Sequence, residues 1–178
     1  SLFGLNSIDT VFGDVRIVDN SALVDLDGLE DLGVVEGVLL VENNDAMHRV
    51  YFEYLHTVGN FFEIRDHEIA ASIGANNLSN VGTDLVILNN VSVRNLSFLG
   101  LFSLGKDLRI NQNHSLTNLS GLNHLFSIGE DLSIGENDKL TSLFGLGNVT
   151  SVGRNLSLTG HMKLENLHGL HNINSIGG

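Results

Sequence analysis

The chain has 178 residues, enough for one domain with a full core and too few for two ordinary ones. Its 21 acidic and 9 basic residues leave a net charge of −12, which excludes the clustered lysine and arginine of a nucleic-acid or anionic-membrane surface. The absence of cysteine excludes disulfides and Cys-ligated metal centres, 42% apolar content excludes global disorder, and no apolar run reaches the about 18–20 residues of a membrane span.

Taken in chain order, the segments repeat. A first extended segment, marked by Val15 and Ile17, returns at Leu39/Val41, Phe62/Ile64, Leu85/Ile87, Leu108/Ile110, Leu132/Ile134 and Leu156/Leu158. The interval is 24 residues at both ends and 23 in the middle. Polar residues alternate with these apolar ones, as in Asp107-Leu108-Arg109-Ile110, which predicts a half-buried strand. Next comes a polar row, Asn20, Asn44, His67, Asn90, Asn113, Asn137 and His161, suited to turning the chain and to bonding buried backbone. Three more apolar rows follow in each repeat, for example Met47, Val50 and Leu55 in one and Leu116, Leu119 and Leu125 in another. A last row, from Val11 and Val35 to Val152 and Ile176, is followed by Gly59, Gly82, Gly105, Gly129, Gly153 and Gly177, which predicts a corner with positive φ.

Such a repeat decides the fold before any local propensity does. Each unit is one coil of about three short extended segments and tight corners. Seven coils stacked about 4.8 Å apart make a rod some 34 Å long. Proline would remove a ladder donor at most positions, and the chain has none. Segments rich in Gly, Asn and Ser, with no long amphipathic stretch, argue against a helix in each unit. The expectation is an all-β, right-handed β-helix or leucine-rich-repeat-like solenoid of seven to eight coils, one domain over residues 1–178.

The pattern L-x-x-L-x-G-L-x-x-[LIV]-x-S-[IV]-G-x-[DN]-L-x-[IL]-x-x-N, carried by Leu116–Asn137 and Leu140–Leu158, resembles the receptor L-domain family. Those are leucine-rich right-handed β-helix domains of insulin- and epidermal-growth-factor-type receptors and of microbial surface proteins. The likeness is tight from Leu96 onward and loose between Met47 and Asn80, and the lack of cysteine places the chain nearer the microbial members. It implies an extracellular or cell-surface location and a recognition or adhesion role, and it brings no catalytic residues and no cofactor. The chain starts and stops inside a repeat, so it reads as a fragment of a longer surface protein, with oligomer formation open through an exposed face or uncapped ends.

Residues that carry chemistry elsewhere are accounted for here by the repeat. The histidines, including His161, His168 and His171, read as solvated turn residues and not as metal ligands. The residue before each strand is Asp14, Val38, Phe61, Asp84, Asp107, Asp131 and Asn155; its aspartates read as bonding their own corner, with a glycan-binding or polysaccharide-lyase-like groove beside Arg109 as the alternative. No nucleophile elbow occurs, so no enzymatic activity is expected. Ice binding needs a regular outward array, and the column Arg16, Leu40, Glu63, Val86, Arg109, Ser133, Ser157 is irregular. Sequons at Asn77, Asn90, Asn95, Asn113, Asn118, Asn148 and Asn155 are candidate glycosylation sites.

Function is sought where the repeat breaks. Residues 47–69 hold both tyrosines together with Phe52, Phe61 and Phe62. Outward columns there are apolar and charged, then turn small and polar in later coils. The expected contact surface is an exposed apolar patch of Val38, Leu40, Phe61, Val86 and Leu88, rimmed by Arg16, Glu63 and Arg65 and facing a protein or cell-surface partner. A one-residue slip of register would turn these residues inward, and a purely structural spacer is a further alternative.

Overall fold

The computed structural model describes residues 2–177. Among them there is no α-helix; the elements are short strands and a single 3₁₀ turn at Ser120–Leu122. Every strand pair is parallel, and each coil hands one strand to each of two long sheets. The seven-stranded sheet is built from Val15–Val18, Leu39–Glu42, Phe62–Arg65, Leu85–Leu88, Leu108–Asn111, Leu132–Gly135 and Leu156–Thr159. The eight-stranded sheet uses two-residue strands, from Thr10–Val11 through Ser103–Leu104 to Ser175–Ile176. A third side is strand only at Arg49–Tyr51, Ser72–Gly74 and Asn95–Ser97; in other coils it relaxes into turns. The molecule is therefore a parallel β-solenoid of about seven turns.

Pairing follows the repeat residue for residue. Leu85 stands between Phe62 and Leu108, and Val86 between Glu63 and Arg109. Inward residues of successive strands thus stack on one another, and Leu39, Val41, Phe62, Ile64, Leu85, Ile87, Leu108 and Ile110 are all fully buried. Phe52 and Phe98 close on Phe62 edge-on, with ring centroids 5.8 and 6.2 Å apart. Two of the three phenylalanines in the irregular segment, Phe52 and Phe62, are thus core residues. Their bulk fills the coils in which the third side becomes strand.

The polar row forms an internal ladder. The side-chain amides of Asn44, Asn90 and Asn113 donate to the strand carbonyls of Ile17, Ile64 and Ile87 at 2.9–3.1 Å, and each also reaches the carbonyl two residues back in its own coil. Their oxygens face the other way: Asn44, Asn113 and Asn137 accept from the backbone N–H of Asn20, Asn90 and Asn113. Buried backbone left without a partner costs about 1–3 kcal/mol per group. The ladder meets that need at the corner that follows the seven-stranded sheet.

The expectation about the glycine corner is corrected. Of the glycines after the short strand only Gly177 has positive φ, at +78°. The others are required by close approach, because a Cβ on Gly82, Gly105 or Gly153 would run into the carbonyl oxygen of Gly59, Gly82 or Gly129. The left-handed corner lies instead just after the seven-stranded sheet, at Asp19, Asn43, Asp66, Asn89, Gln112 and Glu136, with φ of 51–60°. Asp and Asn tolerate that region best. Their side chains also cross-link coils, Asn43 Nδ2 to Asp19 Oδ1 at 2.6 Å and Asn89 Nδ2 to Asp66 Oδ1 at 2.7 Å.

Candidate functional site

The outer face of the seven-stranded sheet has the expected register, so Arg16, Leu40, Glu63, Val86 and Arg109 form one outward column. Alternation along each strand puts their neighbours in the core. The proposed patch nevertheless divides. Val38 and Leu40 are only 6% and 7% exposed, yet they stand outside the core cluster. Leu40 is flanked in register by Arg16 and Glu63, and residues stacked so closely cover one another's sides. Exposure was expected of these two residues and is corrected.

Phe61, Glu63, Val86 and Leu88 are half-buried and are brought together. With Asp84, Arg109 and Asn111 they line a shallow depression of about 390 Å³. Arg16 is not part of it; it is exposed and pairs with Asp14 at 3.0 Å. Arg65 sits at the margin, its guanidinium 2.9 Å from Glu42, 3.3 Å from Glu63 and 3.4 Å from Asp66. Burial pushes the Glu63 carboxyl above its ordinary range, against the pull of Arg65. Asp84, Arg109 and Asn111 were legible in the same columns. They escaped a search keyed on apolar breaks because they belong to the polar part of the repeat.

The aspartate row serves the backbone of the following coil, and not its own corner as expected. Oδ1 of Asp14, Asp84, Asp107 and Asp131 accepts from the N–H of Val38, Asp107, Asp131 and Asn155 at 2.8–3.1 Å. Asp14 and Asp107 also pair with Arg16 and Arg109. The backbone bond of Val38, with help from Arg16, holds the Asp14 carboxyl below its usual range. Each of these carboxylates thus commits one oxygen to the backbone of the next coil. Among the described residues no group of three or more His, Asp or Glu side chains is gathered so as to hold a metal ion. No helix there is long and apolar enough to cross a membrane.

Two sequons are corrected. Asn90 and Asn113 are fully buried members of the internal ladder, so their amide nitrogens cannot receive a glycan in the folded chain. Asn77, Asn95, Asn148 and Asn155 are exposed and Asn118 is half-exposed. Asn77 and Asn148 already spend their amides on the carbonyls of Glu53 and Asn123, in the coil before. Asn95 is exposed and makes no side-chain hydrogen bond among the described residues, which leaves it the freest acceptor.

His67 is likewise not a solvated turn residue. It is fully buried in the asparagine ladder, with Nδ1 3.1 Å from Asn90 Oδ1 and Nε2 without a partner. Burial pulls its pKa below the ordinary histidine value. His161 takes the ladder position in a later coil, half-buried, with Nε2 3.2 Å from the carbonyl of Ile134. His168 and His171 are exposed, as expected.

No protein-family model, curated protein or solved structure matches this chain.

Proposed function

We propose that the protein is a non-enzymatic recognition or adhesion module of a secreted or surface-anchored protein, similar in kind to a receptor L-domain, which binds a protein partner on the outer face of its seven-stranded sheet. The observation that carries this reading is the depression over the third to fifth strands. Phe61, Val86 and Leu88 lie half-exposed side by side there, while the equivalent positions two coils or more farther along the sheet are Asp131, Ser133 and Gly135. Stacking alone accounts for small polar residues on an outer face; it gives no reason to hold phenylalanine, valine and leucine in water. Apolar surface rimmed by charges is the usual make-up of a protein contact.

The test is capture of binding proteins from secreted and cell-surface fractions by the wild type, by Phe61→Ala/Leu88→Ser and by a Ser133→Ala/Ser157→Ala control. Circular dichroism confirms that each is folded. A partner retained by the wild type and the control but lost by the first variant supports the reading. A partner held equally by all three places recognition elsewhere and refutes it.

A further inference from the structure

We infer that the partner seats a basic side chain, lysine or arginine, on Glu63, with a neighbouring apolar side chain in the depression walled by Phe61, Val86 and Leu88. The inference rests on the reading of this face as a protein-binding surface, and it specifies the chemistry that the face recognises.

The charges on the face do not balance. Arg16 and Arg109 are each engaged by an aspartate two residues earlier, Asp14 and Asp107. Arg65 is left to serve Glu42, Glu63 and Asp66, one guanidinium against three carboxylates. Asp84, on the rim of the depression, has no cation within 4 Å among the described residues. Of the charged groups lining the hollow, Glu63 and Asp84 are acidic, and the one cation, Arg109, is already taken by Asp107, so the face offers carboxylate without a matching free cation.

Glu63 is the group under strain. Its in-register neighbours are Leu40 and Val86, which strip water from both sides of the carboxylate. Desolvation accordingly raises its proton affinity despite Arg65. Arg65 Nε, the cationic partner of Glu63 among the described residues, lies 3.3 Å away but out of line, so that this buried N–H has no hydrogen-bond partner. No other donor within the chain reaches Glu63 among the described residues. A desolvated carboxylate without an aligned donor gains most from a charge-assisted hydrogen bond supplied from outside. Apolar walls around it favour a cation carried on an aliphatic stem, which lysine and arginine both have. A metal ion is the poorer guest, because no three ligating side chains are gathered here.

The test is selection of random peptides on the immobilised intact chain, with affinities then measured against wild type, Glu63→Gln and Phe61→Ala, each checked for fold. Val86→Ser replaces Phe61→Ala if that variant does not fold. Enriched peptides should carry Lys or Arg next to an apolar residue, bind Glu63→Gln about tenfold more weakly, and weaken with added salt. Peptides without a basic residue, or with equal affinity for Glu63→Gln, overturn the inference. If such peptides still lose affinity for Phe61→Ala, the face remains a binding surface of different chemistry. If neither variant affects them, the proposed function falls as well.

Discussion

Replacing His67 by asparagine should stabilise the solenoid, and more so in mild acid. Three asparagines of the ladder show what the position is built for: two donor bonds to carbonyls and one acceptor bond from the coil before. The equivalent partners at 67 are the carbonyls of Val41 and Arg65 and the N–H of Asn44. The imidazole makes its one bond to Asn90 and leaves Nε2 buried and unpaired. An unsatisfied buried polar group costs about 1–3 kcal/mol, whereas the smaller carboxamide leaves a void worth about 1 kcal/mol. The net gain at pH 7.5 is then about 1 kcal/mol.

Acid adds a second contribution. Burial lowers the pKa of His67 in the folded state, so the unfolded chain takes up its proton first as pH falls. Its share of stability is therefore complete above about pH 6.5. It is lost at up to about 1.4 kcal/mol per pH unit below that, until the folded histidine also titrates. Asparagine has no such loss. Urea unfolding followed by far-UV circular dichroism at pH 7.5 and 5.5 reads both effects, since the chain has no tryptophan for fluorescence. A variant less stable than the wild type at pH 7.5, with the same pH dependence, would refute this account of the ladder.

Other consequences are simpler to state. Asn113→Ala removes bonds to the carbonyls of Ile87 and Asn111 and strands the N–H of Asn90, so it should cost about 3 kcal/mol in the same assay. Gly105→Ala drives a methyl group into the carbonyl of Gly82 and should cost about 1–3 kcal/mol, although its φ is ordinary. Phe62→Ala empties the centre of the aromatic trio and should cost about 3–5 kcal/mol, enough to unfold the coils around it. Expressed in a glycosylating host, the chain should carry no glycan at Asn90 or Asn113, and peptide mapping by mass spectrometry should find Asn95 modified ahead of the other sequons.

The stacking was legible because a solenoid writes each contact twice, once in the structure and once as an interval in the sequence. Leu39, Phe62 and Leu85 could be placed over one another before any coordinate was known. What the interval cannot convey is the dimension across the coil. It does not say that the row opening with Phe12 and Glu36 holds glycine thereafter because backbone approaches backbone, since close contact and positive φ demand the same residue. It also does not distinguish an outward residue in water from one covered by its neighbours, which is the difference between Phe61 and Leu40. His67 was the hardest to judge. Histidine is at home in a wet turn, and only the burial of its asparagine counterparts reveals the conflict.

Because every strand bonds only to the coil before and the coil after, the rod has no cross-bracing. A force applied at its two ends would not load all the coils together. It would peel one coil from an end, release 23–24 residues or about 80 Å of slack, and then meet the next. Extension would thus proceed as a train of small, similar steps, and the chain would act as a shock absorber between whatever it joins.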